Sequence, residues 1–224
     1  MSEREGAVTF KGGPLTLVGP ELQVGDQAPD FNVIDGDLGA VNLASSAGKV
    51  RLISAVPSLD TPVCSDQTKR FAEALGGLPE NVEVLTISAD LPFAQGRWCG
   101  AEGVEMTTLS DHRELSFASA YGVLIKELQL LSRAIFVIDA EDKITYLEIV
   151  SEVTDHPDYD AALAAAGGET GNAGAEDEVG GAEEADAGGD EDAGAEADAG
   201  GDDASEAEAP AAPAEDGGGD ESNG

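Results

Sequence analysis

The stretch Arg51-Leu52-Ile53-Ser54-Ala55-Val56-Pro57-Ser58-Leu59-Asp60-Thr61-Pro62-Val63-Cys64 decides the fold of this chain. Its first six residues are a mostly apolar run of the length typical of a buried strand. A turn that contains Pro57 follows, and Pro62 suits the first turn of a helix, where a missing backbone N–H costs nothing. We therefore predict a central strand that ends at Val56 and a helix from about Pro62 to Leu75.

Cys64 falls in the first turn of this predicted helix. Unpaired N–H groups and the positive end of the helix dipole favour a negative charge there, which is the form of a thiolate. Asp60 or Thr61 can cap the free N–H groups just ahead of it. A free cysteine is more often an inert part of the core, but a position at a helix start beside the Thr61 hydroxyl indicates a reactive thiol.

The charge of the chain is unevenly distributed. Its 224 residues include 46 acidic and 11 basic ones, with a formal net charge of −35 at pH 7. All 11 basic residues and 26 of the acidic ones lie before position 168, which leaves 20 acidic residues after it. Because no basic stripe exists to neutralise phosphates, we expect no nucleic-acid partner. An acidic front domain that is poor in lysine is also a hint of a high-salt source.

The chain has no segment that suggests export or a membrane. No stretch is long and apolar enough to span a bilayer, and the first six residues have no apolar core like that of a signal peptide. We therefore expect a cytoplasmic protein without membrane association. Its two cysteines would face a reducing environment, in which a disulfide is more often catalytic than structural.

Strand-like and helix-like segments alternate along the first 167 residues and end in a hairpin and a helix. Besides those above, strands are expected at about 7–10, 15–18, 31–34, 40–43, 82–88, 106–109, 134–138 and 144–150, and helices at about 93–102, 114–121 and 157–165. This order implies a mixed sheet covered by helices. We predict one α/β domain over residues 1–167, with a thioredoxin-like order of elements and an N-terminal β-hairpin.

The composition changes at Gly168. From there to Gly224 the chain is mostly Gly, Ala, Asp and Glu, without an aromatic residue, lysine or arginine. Such a segment buries too little apolar surface to offset the entropy lost on ordering. We predict a disordered acidic tail over residues 168–224. A solubilising role is the simpler interpretation, and the binding of a basic partner is the alternative.

Cys99 is the second cysteine, within Asp90-Leu91-Pro92-Phe93-Ala94-Gln95-Gly96-Arg97-Trp98-Cys99-Gly100. It lies 35 positions after Cys64, so the chain has no C-x-x-C redox or metal motif. Two cysteines and the distant His112 and His156 do not readily supply a zinc site. We therefore expect no metal.

Both cysteine segments resemble those of a known family. The spacing Pro57-x-x-x-Thr61-x-x-Cys64 resembles the peroxidatic motif of the peroxiredoxins. Residues 87–103 are similar to the resolving-cysteine segment of bacterial thiol peroxidases, the atypical two-cysteine peroxiredoxins, although Trp98 stands where a phenylalanine is expected. Residues 132–134 and 158–163 also match. The likeness covers about residues 8–165 and leaves out the acidic tail.

The resemblance implies a thiol-dependent peroxidase of thioredoxin-like fold that reduces hydrogen peroxide and organic hydroperoxides. It makes Cys64 the peroxidatic cysteine and Cys99 the resolving cysteine, which forms an intramolecular disulfide with Cys64. Thr61 and Arg133 correspond to the activating partners of the thiolate, and Pro57 to the proline that shields it from water. The family also implies re-reduction by thioredoxin, a homodimer and no cofactor.

The residues alone leave other functions open. A thioredoxin-fold thiol–disulfide oxidoreductase would normally carry C-x-x-C, but Thr61 takes the place of the first cysteine. A non-enzymatic protein would act through its acidic tail. A cysteine hydrolase would need a histidine or acid partner, which the spacing does not identify. Without the resemblance, an arginine just before a strand, such as Arg133, most often forms a surface ion pair.

Overall fold

The computed structural model describes residues 2–168. The predicted acidic tail lies outside them apart from Gly168, so the division into residues 1–167 and 168–224 stays a prediction. The strands are β1 (Glu3–Phe10), β2 (Gly13–Val18), β3 (Val33–Ile34), β4 (Ala40–Val41), β5 (Val50–Ala55), β6 (Val82–Ser88), β7 (Thr107–Ser110), β8 (Leu124–Ile125), β9 (Leu130–Leu131), β10 (Ala134–Ile138) and β11 (Ile144–Ile149). The helices are α1 (Pro62–Ala74), α2 (Pro92–Glu102), α3 (Ser116–Ala120) and α4 (Tyr159–Ala165).

A seven-stranded mixed sheet forms the centre, in the order β11-β10-β5-β6-β7-β3-β4. Strands β5, β6 and β7 run parallel, and β10 runs antiparallel to both β5 and β11. All five residues of β10 are buried. A strand covered on both faces needs apolar side chains in both directions, which explains its unbroken apolar sequence. The predicted mixed sheet flanked by helices is confirmed.

Side chains alternate along β10, so this strand presents apolar residues to both faces of the sheet. Helices cover both faces. On one face, Tyr121 beside α3 packs edge-on against Phe136 of β10, with ring centres 5.0 Å apart. On the other face, Phe71 of α1 packs against Tyr159 of α4 at 5.4 Å. Fully burying one such apolar side chain stabilises the fold by about 1.5–3 kcal/mol. The core thus holds α1 firmly against the sheet.

The strand directions bring several segments to one edge of the sheet. Ala55 at the end of β5 lies opposite Ile87 near the end of parallel β6. It also lies opposite Ala134 at the start of antiparallel β10. The turn into α1, the loop into α2 and Arg133 therefore lie at the same edge, which is where both cysteine segments begin.

A second sheet of four short strands has the order β1-β2-β8-β9. The predicted β1–β2 hairpin is confirmed, and its turn residues Lys11 and Gly12 have φ values of +50° and +78°. A two-residue type I′ hairpin turn needs positive φ at both positions. Strands β8 and β9 were not predicted from the sequence. None of the helices within residues 2–168 combines the length and the hydrophobicity that a membrane span requires.

Candidate active site

Cys64 is the third residue of α1, and its side chain is fully buried. Thr61 occupies the N-cap position and Pro62 is the first helical residue. The predicted side-chain cap is wrong, because the Thr61 hydroxyl donates to the Ser58 carbonyl at 2.9 Å instead. No side-chain hydrogen bond caps the helix. The N–H groups of its first turn therefore remain available to a negative charge on Cys64.

Arg133 contacts the sulfur of Cys64 directly. Its Nη2 lies 3.3 Å from Sγ, and the side chain is 1% exposed. Its Nε donates to the Val153 carbonyl at 3.0 Å, and its Nη1 donates to Gln67 Oε1 at 2.5 Å. The planar guanidinium is thus fixed on three sides. A buried positive charge at this distance attracts negative charge on the sulfur.

Gln67 is the site residue that sequence reasoning missed. It is fully buried one turn after Cys64, and its Oε1 accepts from Arg133 while its Nε2 donates to Ser54 Oγ at 2.7 Å. The buried positions of α1 are 64, 67, 68 and 71, which recur at helical spacing. A glutamine on such a face must find a buried partner, and that was the available signal.

Pro57 is buried in the turn after β5 and lines a mostly apolar cavity of about 250 Å³. Thr61, Val63, Arg133 and Val153 line the same cavity. The structure therefore brings Pro57, Thr61 and Arg133 together next to the covered thiol. The Thr61 hydroxyl, however, donates its hydrogen bond to Ser58 and not to the Cys64 sulfur.

Cys99 lies in α2, is half-buried and carries a free thiol, as does Cys64. Both cysteines belong to one apolar cluster that also contains Trp98. Burial raises the pKa of the Cys99 thiol, and a side-chain hydrogen bond with Thr108 offsets part of that rise. Because the thiolate is the nucleophile, a raised pKa lowers the fraction of Cys99 in the reactive form at a given pH.

Polar contacts fix the turn before Cys64 to the start of α2. Asp90 Oδ2 accepts from the backbone N–H of Leu59 and from the Ser88 hydroxyl, both at 2.8 Å. Arg97 on α2 donates to both carboxylate oxygens of Asp60, at 2.8 and 2.9 Å. The two cysteine segments therefore hold each other in place.

Each of the two histidines shares a hydrogen bond with a neighbouring hydroxyl. His112 Nδ1 shares a hydrogen bond with Ser110 Oγ at 2.9 Å, and His156 Nδ1 shares one with the Tyr159 hydroxyl at 2.7 Å. In the part of the chain that the structure describes, no group of three His, Cys, Asp or Glu residues could hold a metal ion.

Known proteins are similar to this chain in sequence and in fold. The Redoxin family model matches residues 23–163. A thiol peroxidase from Halalkalibacterium halodurans is 60% identical over 161 residues, which cover 71% of this chain and 96% of the relative. The chain belongs to the thiol peroxidases of the peroxiredoxin family. The thiol peroxidase of Bacillus subtilis is 57% identical over 160 residues, which cover 71% of this chain and 95% of that protein.

Solved structures agree with this assignment. A peroxiredoxin-like protein from Aquifex aeolicus matches with a TM-score of 0.68 at 43% identity, covering 72% of this chain and 96% of that one. A thiol peroxidase from Chromobacterium violaceum matches with a TM-score of 0.61 at 26% identity, covering 69% and 91%. The predicted thioredoxin-like fold is confirmed. As a member of this family, the protein is a thiol-dependent peroxidase. Family membership favours peroxidase activity over thiol–disulfide exchange or hydrolysis.

Proposed function

We propose that this thiol peroxidase reduces hydrogen peroxide and organic hydroperoxides with Cys64 as the peroxidatic cysteine and Cys99 as the resolving cysteine. The observation that carries the proposal is the 3.3 Å contact between Arg133 Nη2 and Cys64 Sγ, beside the apolar cavity. Arg133, Thr61 and Pro57 complete the site. No cofactor takes part in the proposed reaction.

In the first step the Cys64 thiolate attacks one peroxide oxygen in line with the O–O bond. The S–O bond forms as the O–O bond breaks, and the leaving oxygen departs as hydroxide or alkoxide and takes a proton from water. The products are Cys64 sulfenic acid and water or an alcohol. Arg133 stabilises the charge that moves from sulfur to oxygen. The Thr61 hydroxyl can bridge sulfur and peroxide once it leaves the Ser58 carbonyl.

Pro57 has a supporting role in this step. It is buried where the chain leaves β5 and forms part of the cavity wall. Because proline has no backbone N–H, it offers no donor to water at that point. We propose that it shields the thiolate, which would be less reactive if it were fully hydrated.

In the second step the Cys99 thiolate attacks the sulfenic sulfur, and the S–O bond breaks as the S–S bond forms. The leaving hydroxide takes a proton from the solvent and becomes water. A disulfide requires Cα atoms within roughly 7 Å and suitably directed side chains. Cys64 is fully buried in a regular helix and Cys99 lies in another. We therefore propose that the first turn of α1 or part of α2 unwinds locally. The dithiol of reduced thioredoxin then restores both thiols and becomes a disulfide itself.

A stoichiometric experiment tests this scheme. One equivalent of hydrogen peroxide added to the reduced full chain should remove two thiols and yield an intramolecular Cys64–Cys99 disulfide by mass spectrometry. Cys64→Ser should consume no peroxide, while Cys99→Ser should complete a single turnover and accumulate the sulfenic acid. Peroxide consumption by Cys64→Ser at the parental rate would contradict the proposal. Identical backbones in the reduced and oxidised crystal structures would contradict the unwinding step.

We also propose that the protein is a cytoplasmic homodimer and that its acidic tail is dispensable for peroxide turnover. The two free thiols suit a reducing compartment. Leu91 and Phe93, at the start of α2, are 52% and 68% exposed and offer an apolar contact. Light scattering on the reduced protein tests the dimer. Deletion of residues 168–224 tests the tail, and loss of turnover would favour the tail-binding alternative.

A further inference from the structure

The turn of the β1–β2 hairpin contributes exposed residues to the lining of the apolar cavity beside Arg133, and we call this part of the cavity its rim. Phe10 and Lys11 line the cavity, together with Val153 and Thr154. Phe10 is aromatic, yet 42% of it is exposed. The reduction of hydrogen peroxide makes no use of this apolar rim, because that substrate has no hydrocarbon to bury. A mostly apolar space of about 250 Å³ suits a substrate with a hydrocarbon chain.

Lys11 brings a positive charge to the same rim. Its ammonium lies 5.6 Å from the centre of the Phe10 ring, which is within the range of a cation–π contact. No ion pair within residues 2–168 uses Lys11, whereas Lys49, Lys69 and Lys126 each pair with a glutamate. The Lys11 ammonium, which has no ion-pair partner within residues 2–168, is therefore available at the rim to an anionic ligand.

The backbone holds Lys11 at this position against its conformational preference. Its φ of +50° is a left-handed value that residues other than Gly, Asn and Asp adopt at a cost. The carboxylate of Glu152 anchors the turn by accepting from the N–H groups of Lys11 and Gly12, both at 3.0 Å. The Gly12 bond, followed by those from the Thr154 and Thr9 hydroxyls, lowers the pKa of Glu152 to about 2. The anchor is therefore ionised at neutral pH.

We propose that Lys11 selects hydroperoxides that carry a carboxylate at the far end of a hydrocarbon chain. The proposal rests on the proposed function, since the O–O bond must reach Cys64 and Arg133 while the chain lies in the cavity. The carboxylate then meets the Lys11 ammonium at the rim. The chemistry at sulfur is unchanged, and the products are Cys64 sulfenic acid and the corresponding hydroxy acid.

The test compares kcat/KM of the full chain for a medium-chain hydroperoxy acid and for its methyl ester, both below their micelle concentrations. At low ionic strength the parent should prefer the acid by about fivefold, the upper range for an exposed ion pair. Added salt should bring the ratio towards one.

Two substitutions at Lys11 separate charge from turn geometry. Lys11→Asn removes the charge and Lys11→Asp reverses it, and both new side chains tolerate a positive φ. The preference should vanish in the first variant and change to the ester in the second, with the hydrogen peroxide rate unchanged in both. Lys143→Asn, at an exposed lysine in the β10–β11 turn, is the matched control and should keep the preference.

The outcomes distinguish this inference from the function on which it rests. Equal rates for acid and ester in the parent, or an undiminished preference in Lys11→Asn, would overturn the assignment to Lys11 while leaving hydrogen peroxide reduction intact. A parent that consumes none of the three peroxides, or a Cys64→Ser variant as fast as the parent, would overturn the proposed function itself.

Discussion

At the scale of single residues, Gln67 holds the guanidinium of Arg133 that contacts the Cys64 sulfur. Its Oε1 is the acceptor that fixes Nη1 of the guanidinium, and Nη2 of the same group contacts Cys64. Gln67→Glu keeps an acceptor but adds a buried negative charge that competes with the thiolate for Arg133. We expect the second-order rate constant for hydrogen peroxide, measured by stopped flow, to fall about ten- to a hundredfold.

Two further variants separate this effect from a loss of stability. Gln67→Met removes the acceptor of Arg133 Nη1 and the donor to Ser54 Oγ, both buried, and urea unfolding should show a cost of about 1–3 kcal/mol. Gln95→Met is the matched control, because Gln95 is also buried but donates to Ser88 and to the Leu109 carbonyl. It should lose stability without slowing the peroxide step. A Gln67→Glu variant as fast as the parent would show that a negative charge at position 67 does not compete with the thiolate for Arg133.

Some features of single residues follow from local sequence signals, and others depend on how distant strands pair. Strand end, proline and helix start place Cys64 correctly in the first turn of α1, because those signals are local. The contact of Arg133 with Cys64 arises from the register of β10 on β5, where Ala134 lies opposite Ala55, and no local pattern encodes that register. The predicted Thr61 cap is absent because the Thr61 hydroxyl donates instead to the carbonyl of Ser58, three residues earlier in the chain.

At the scale of elements, the proposed approach of Cys99 to Cys64 requires local opening of α1 or α2. Trp98 is the only tryptophan of the chain, and its Nε1 donates to Ser65 of α1 at 3.3 Å. Its fluorescence should therefore change as the disulfide forms. The exposed Arg97–Asp60 ion pair opposes that opening. We expect Arg97→Gln to speed disulfide formation by up to about fivefold, measured by stopped-flow fluorescence after one equivalent of peroxide.

A control variant and added salt test whether the effect comes from the Arg97–Asp60 ion pair. Lys126→Gln breaks the Lys126–Glu3 pair, which belongs to the other sheet, and should leave the rate of disulfide formation unchanged. Salt should speed the parent and leave Arg97→Gln almost unaffected, because screening weakens the pair that the variant already lacks. Slower disulfide formation in Arg97→Gln would mean that the pair assists closure of the two cysteines.

Helix α3 gives a second element-scale prediction, based on Asp111. Its carboxylate accepts from the N–H groups of Phe117 and Ala118, at 3.2 and 2.8 Å. Burial nevertheless raises the pKa of Asp111 from 3.8 to about 6, against the opposing effect of those bonds. Between these two values the folded protein holds more protons at this group than the unfolded chain. The contribution of Asp111 to the free energy of unfolding should therefore fall as the pH rises through that window.

The measurement for Asp111 is a series of urea unfolding curves across this pH window. The parent is compared with Asp111→Asn, which cannot titrate and keeps one acceptor oxygen for the helix. The difference in free energy of unfolding, parent minus variant, should decrease from the acidic to the neutral end. Two parallel pH profiles would show that Asp111 titrates at its ordinary pKa in the folded protein.

Elements with strong local signals were predictable, and elements made by distant pairing were not. The apolar runs of β6 and β10 and the proline-initiated helices α1 and α2 agree with the sequence within about two residues. Strands β8 and β9 have two residues each, too few for any periodicity to show. They exist as strands because β2 pairs with β8 across a long stretch of sequence. Such pairing is a tertiary property of the chain.

At the scale of the whole molecule, we expect net charge to oppose folding more than ion pairs favour it. The region before position 168 carries 26 acidic and 11 basic residues. Residues 2–168 form five ion pairs, and four of these join side chains that are between 29% and 64% exposed. Exposed pairs contribute about 1 kcal/mol at most. Repulsion among the unpaired carboxylates acts over the whole surface at low ionic strength.

Salt should therefore stabilise this protein. We expect the urea midpoint of the full chain to rise between about 0.05 and 0.5 M NaCl, as the Debye length shrinks to a few ångströms. The rise should level off beyond that range, because screening is then nearly complete. Sodium sulfate at equal ionic strength is the control, since any gain above that of NaCl comes from exclusion of sulfate from the surface and not from screening. A midpoint that falls with NaCl would mean that the ion pairs outweigh the net charge.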